Sequence, residues 1–367
     1  MSKKYAYWFA CAPGIGDKTM RRLLNLCPDE RELYFAGEKL WQQVLNNRQM
    51  EQITAFARKA DPGTLYEELV KTGIQFLTIR DPSYPDRLLH IPDPPYALFV
   101  AGKLPREDRL SVAVVGARDC SSYGSYVASG IGAALGQHGV QVISGMARGI
   151  DGISQNAALD AGGSSFGVLG CGVDVCYPES NRPLYERLHA QGGILSAYPP
   201  KTPAKPNNFP PRNRIVSGLA DALIVVEARS KSGTLITVDM ALEQGKEVYV
   251  VPGRVTDRLS DGCNWLLKQG AAVFVSPEDF LQEIGVKCGP HAVREMEVAA
   301  PDSLRLMEPQ LKEIYEVLTL EPQSVEQIGE KLAGKNNLKD LTVLLMRLCL
   351  EKLAVQVSPG QFRLVAI

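Results

Sequence analysis

Between Lys201 and Arg214 the chain carries four cations, Lys201, Lys205, Arg212 and Arg214, and no acid, in a sequence whose net charge is −1. Prolines stiffen this stretch, two asparagines, Asn208 and Asn213, can hydrogen-bond base edges, and Phe209 sets an aromatic face among the charges. Cations for phosphates and a ring for a base suit a single-stranded nucleic acid. The plainer alternative is a solvated loop with Phe209 folded into the core. Three other stretches offer matching chemistry: Gly116-Ala117-Arg118, Ser144-Gly145-Met146-Ala147-Arg148 and Ser232-Gly233-Thr234. Glycine lets a backbone approach a ligand, and successive N–H groups at a helix start attract anions. Together these stretches are expected to form an anion site, phosphate first among the candidates.

The elements that must position them follow from the apolar runs. Val112 to Val115 stops at Gly116, a helical pattern runs from Tyr126 to Gln137, and Val140 to Ile143 stops at Ser144. Further runs are Phe166 to Leu169, Ile194-Leu195, Ala222 to Val226, Val248 to Val251 and Ala272 to Val275. Continuous apolar runs bounded by glycine read as strands buried on both faces. Alternation with helices gives an α/β fold, a Rossmann-like doubly wound sheet of six or seven strands. Ligands of such sheets sit beyond the carboxyl ends of the strands, where all these loops fall. The dinucleotide fingerprint is missing, since the first loop has a single glycine and Gly130-Ile131-Gly132 lies inside a helix.

Bulk properties set the frame. A chain of 367 residues is long enough for two or three domains. With near-zero net charge, a polyanion must be met by a local patch. No leader is expected from Ser2-Lys3-Lys4-Tyr5-Ala6, and no stretch approaches the roughly 20 apolar residues of a membrane span. The eight cysteines show no Cys-x-x-Cys pair, so neither a metal site nor a disulfide frame is expected. Residues 1–75 read as short helices joined by Pro13-Gly14-Ile15-Gly16, a turn of the helix-hairpin-helix kind that is better explained by packing. Residues 76–109, where Pro82, Pro85, Pro92, Pro94 and Pro95 recur between Thr78 and Gly102, read as an ordered connector packed on the core, and residues 110–285 as the Rossmann-like domain. Residues 286–305 read as a linker. Residues 306–367 read as three helices and a hairpin, the pattern of a winged helix. Its eight Lys or Arg stand against nine Asp or Glu from Asp302 onward. Lys339, Arg347 and Lys352 face Asp340 and Glu351, so a protein contact is favoured over duplex reading.

The motifs VVGAR, SGMARGID, GCGVDVCYPESN, NNFPPRNRIVSGL, VVEARSKSGTLIT and VVPG, in order from Val112 to Phe274, resemble the DNA-processing protein A (DprA, also called Smf) family. That resemblance implies a cytoplasmic, non-catalytic protein without a cofactor. It implies binding of single-stranded DNA, including incoming DNA in natural transformation and competence, dimerisation, and loading of the RecA recombinase for DNA recombination. By motif, Arg118 and Lys205 would hold phosphates and Phe209 would stack on a base, with Ser144-Gly145 and Ser232-Gly233-Thr234 lining the pocket. Trp265, Leu266 and Leu267 would lie at a homodimer interface, although a plain core helix explains them equally well. Three departures from the family's usual residues stand out: Gln155 for histidine, Ala197 for glutamate and Ala117 for serine. The rival class is a Rossmann-like nucleotide or nucleoside-phosphate hydrolase, of which Ser232-Gly233-Thr234 with Asp239 is a loose echo. Its acid–base groups would have to be Asp151, Asp174 and Glu227, which are better explained as loop caps.

Overall fold

The computed structural model describes residues 3–286, 308–319, 321–332, 338–351 and 353–364. Its centre is a nine-stranded sheet. The strands are β1 (Gln75–Thr78), β2 (Ala97–Gly102), β3 (Ser111–Val115), β4 (Gln141–Ser144) and β5 (Ser165–Val168), followed by β6 (Gly193–Ser196), β7 (Ala222–Val225), β8 (Glu247–Val250) and β9 (Ala272–Val273). They lie in the order β1-β2-β6-β5-β4-β3-β7-β8-β9. From β6 to β9 every pairing is parallel. The wholly buried β3, β4, β5, β6 and β7 show why unbroken apolar runs appear there: helices cover both faces. The chain winds from β3 outward to β6, then returns to the other side of β3 with β7. The crevice between β3 and β7 is therefore the topological switch point.

Two strands more than expected come from the edge of the proline-rich segment. β2 pairs antiparallel with both β6 and β1, so residues 75–102 extend the sheet. Their prolines fall between the strands, in the turns around Pro85 and the helix Asp86–Leu89. The six N-terminal helices, between Lys3 and Thr72, pack around Trp8, Phe9, Leu23, Leu33 and Trp41. Their core continues without a break through Phe76 and Phe99 to Leu184 and Leu188. The Pro13–Gly16 turn is held by the Gln49 side-chain amide, which donates to the Gly14 carbonyl at 2.8 Å, while Ile15 packs on the core.

Helix Ser122–Gln137, capped by Ser121, lies against helix Ile150–Asp160. A Cβ on Gly132 would come within 2.2 Å of the Ser154 carbonyl oxygen. The helical glycines thus serve helix packing and cradle no phosphate.

In the C-terminal segment the helices are Pro309–Val317, Val325–Lys331 and Leu338–Leu350. They enclose Ile314, Ile328, Leu341, Leu345, Leu348 and Phe362. Strands β10 (Gln323–Ser324), β11 (Ala354–Ser358) and β12 (Gln361–Leu364) form a small antiparallel sheet in the order β10-β12-β11. The segment touches the large sheet's surroundings where Arg363 donates to the Ser122 hydroxyl of a helix and Glu321 pairs with Arg254 on the loop after β8. Apart from Val286, the expected linker 286–305 lies outside the described residues, as does Lys352. No described helix is long and apolar enough to cross a membrane.

Candidate functional site

At the carboxyl ends of β3, β4, β5 and β7 an open crevice joins two cavities of about 530 and 210 Å³. Both are lined by Arg118, Gly145, Ala147, Tyr177, Phe209 and Arg212. The larger adds Gly116, Asn213, Ser232, Gly233, Thr234 and Thr237; the smaller adds Arg148, Cys171 and Ser180.

Local backbone chemistry brings these loops together. The β3 and β4 loops meet face to face, Ile150 N–H donating to the Ala117 carbonyl at 3.2 Å. Gly149 has φ +79°, and a Cβ there would meet the Ala117 oxygen at 2.3 Å. Only glycine fits that position without strain. The Thr234 hydroxyl donates to the Gly116 carbonyl at 3.2 Å and fixes the β7 loop beside the β3 loop. Helix Gly233–Glu243 begins there with no side-chain cap, so its positive end lines the cavity. The neighbouring Ser232 hydroxyl is buried with no hydrogen-bond partner among the described residues.

Two of the arginines have opposite jobs. Arg118 is exposed, has no acidic partner among the described residues, and sits 5.6 Å from the Phe209 ring centroid. Arg212 is 6 % exposed. It donates to the Gly145 carbonyl at 2.8 Å and to the Val168 carbonyl, and its guanidinium lies 5.8 Å from the Phe209 ring centroid. Burial raises the Asp151 carboxyl above its usual range, against the opposing pull of Arg212 and of the Ala147 and Gly145 amides. Burial likewise draws Arg212 down, and Asp151 offsets it. These two buried groups favour each other's charged form across Gly145 and make up the floor of the site, with Arg212 also set against the Phe209 ring. Gly145 is needed for that floor: its N–H donates to Asp151 at 3.0 Å, and a Cβ would meet the Arg212 guanidinium at 2.8 Å.

Phe209 is half-buried, between the two alternatives posed by its sequence context. Its ring lies 5.5 Å from that of Tyr177, tilted by 30°. Tyr177 is 43 % exposed, lines both cavities and is the main residue missing from the sequence-derived set. An aromatic directly after a strand-end loop was the available signal.

Several expected contacts are placed elsewhere. Arg214 lies away from the crevice, pairing with Asp17 and Asp93 and lining a third cavity beneath the N-terminal helices. The Ser144 hydroxyl is buried and donates to the Val114 carbonyl at 2.6 Å, tying β4 to β3. Arg148 does line the smaller cavity, exposed, but it is paired with Asp119. Lys205 is exposed at the start of the turn Pro206–Asn208, and neither it nor Asn208 lines the two cavities. Leu266 is core, packed under β8, and Leu267 is half-buried against the same cluster; only Trp265 of that trio is open, at 54 %. Sequence spacing cannot separate these cases, because which arginine meets a buried acid is decided by distant residues.

The carboxylates of the rival enzymatic reading are all engaged in structure. Asp174 accepts from the Lys201 N–H at 2.8 Å, and Glu227 accepts from the Ser121 N–H at 2.9 Å and its hydroxyl at 2.5 Å. Burial pushes the Cys171 thiol up to about 11, so it lines the smaller cavity as a neutral group. Gln155, where a histidine was the usual family residue, is buried and donates to the Phe166 carbonyl at 3.1 Å.

Fold and crevice together define a Rossmann-like α/β protein with a cationic, aromatic-lined opening at its switch point. The chain belongs to the DNA recombination-mediator protein A family, whose model matches residues 75–285, beginning at the first residue of β1. It is 40 % identical over 246 residues to Protein Smf of Escherichia coli, a match covering 67 % of this chain and 66 % of that relative, just under two thirds of its length. The crystal structure of DNA processing protein A from Streptococcus pneumoniae superposes with a TM-score of 0.66 at 32 % identity, over 78 % of this chain and 99 % of that one. A structure describing the single-stranded DNA binding mode of DNA processing protein A from Helicobacter pylori superposes with a TM-score of 0.53 at 29 % identity, over 57 % of this chain and 95 % of that one.

Proposed function

We propose that this chain binds single-stranded DNA in the strand-end crevice, without altering a bond in it. The observation that carries this reading is the free Arg118 guanidinium poised over Phe209, beside the half-open ring of Tyr177. A cation with no acidic partner among the described residues, next to two tilted aromatic rings, suits a phosphate and an unstacked base. The uncapped start of helix Gly233–Glu243 adds an anion-attracting end to the same cavity. The Helicobacter pylori relative's single-stranded DNA binding supports the same ligand. A salt-titrated comparison of single strand, duplex and mononucleotide tests it: single strand should bind tightest, with affinity falling as salt rises. Equal duplex binding, or release of free base from a mononucleotide, would overturn it.

The broader role we propose is DNA processing in natural transformation and recombination, with RecA loaded onto the bound strand in the cytoplasm. The protein works as a homodimer across the β9 edge, where Trp265, Val273 and Val275 leave apolar surface open. The C-terminal segment, read as a winged helix, serves protein contact. Arg347 on its third helix is occupied by Glu308, while Val343, Met346 and Leu350 lie exposed on that helix.

A further inference from the structure

Three exposed cations play no part in the crevice: Arg229, Lys231 and Arg258. They stand on the loops that follow β7 and β8, at the same end of the sheet as Arg118 and Arg148. None has an acidic partner among the described residues. The acids on these loops are spent on backbone instead. Asp261 accepts from the Ser230 N–H at 2.7 Å, and Asp257 accepts from the Leu259 N–H at 2.9 Å. Glu227 is turned inward to Ser121. The loops are therefore shaped by their carboxylates and present their cations outward.

The order β4-β3-β7-β8 places these loops side by side. Adjacent strands lie about 4.8 Å apart, so three spacings carry the cations across roughly 14 Å of surface. The row passes Val255, which is 93 % exposed between Arg254 and Arg258. An apolar side chain so open among cations offers a resting place for a base. Beyond it the row reaches the C-terminal segment, where Arg254 pairs with Glu321. The Ala228–Lys231 loop is also held firm, since Gly262 N–H donates to the Ala228 carbonyl at 2.9 Å.

We infer that the single strand does not end at the crevice, and that Arg229, Lys231 and Arg258 bind its backbone along a second stretch running over β7 and β8 to the C-terminal segment. This rests on the crevice binding single-stranded DNA. The second stretch reads no sequence, because its contacts are cations and one aliphatic side chain.

The test uses the full chain and two oligothymidylates, one of about 4 and one of about 16 nucleotides, the span of known single-strand site sizes. Binding is titrated against salt for the wild type and for the triple variant Arg229→Ala, Lys231→Ala, Arg258→Ala. The long strand should bind the wild type more tightly and with a steeper salt slope than the short one. In the triple variant the long strand's slope should flatten by about 0.7 per cation, about 2 in all. Short-strand binding should be unchanged, which also shows that the variant is folded. If the wild type binds the short strand and the long one gains nothing, the second stretch is refuted while the crevice stands. Equal loss of both strands in a variant with an unchanged melting temperature refutes it too. If the wild type binds neither, the crevice reading fails and this inference falls with it.

Discussion

Replacing Arg118 and Arg212 in turn by alanine separates a ligand contact from a structural one set against the same Phe209 ring. Arg118 is exposed and has no acidic partner among the described residues, so its loss leaves no buried charge behind. Stability should stay within about 0.5 kcal/mol of wild type, as for other surface changes. One phosphate contact fewer flattens the plot of log affinity against log salt by about 0.7. Over a fourfold rise in salt, the variant's affinity should then fall about 2.6-fold less than that of wild type. Arg212→Ala is the opposite case. It strands Asp151 in the core and frees the Gly145 and Val168 carbonyls. Leaving a buried charge without its compensating neighbour costs about 3–5 kcal/mol. The assay is urea unfolding beside fluorescence-anisotropy titration of an oligothymidylate at several salt concentrations. Arg118→Ala that destabilises like Arg212→Ala, or that keeps the full salt slope, would refute the assignment of the two roles.

Other outcomes follow from the same geometry. Phe209→Ala should weaken single-strand binding by about 1–3 kcal/mol, and Tyr177→Ala should do the same if both rings meet bases; calorimetric titration reads both. Gly149→Ala, forced to φ +79° against the Ala117 carbonyl, should cost about 1–3 kcal/mol of stability by thermal melting. Burial raises the Glu227 carboxyl above its ordinary 4.5, despite hydrogen bonds from Ser121. Its contribution to stability is thus present below that value and lost as pH rises through the higher folded value. Glu227→Gln should remove this loss, so the variant's unfolding free energy should gain on wild type between pH 4.5 and neutrality in urea titrations. Trp265→Glu should shift sedimentation toward monomer without lowering the melting temperature.

The parallel strands were legible because each is a short apolar run that burial on both faces demands. β1 and β2 were not, because prolines in the intervening segment mask two ordinary strands: β1 pairs with β2 across that segment, and β2 finds its other partner, β6, far along the chain in the register from Val100 to Leu195. Within the site, the residue types were visible and their duties were not. Arg118, Arg212 and Arg214 look alike in sequence. One meets solvent, one is buried against the Gly145 and Val168 carbonyls, and one meets Asp17 from the far end of the chain. Only the tertiary fold supplies those partners. Tyr177 was passed over because nothing local marks it as Phe209's neighbour.

The antiparallel insertion of β2 bears on how the molecule can be cut. A version trimmed to start at residue 110 would lose both outer strands and bare the Gly193–Ser196 strand as an unsatisfied hydrogen-bonding edge. Such edges recruit other chains, so the shortened protein should clump even with every crevice residue in place.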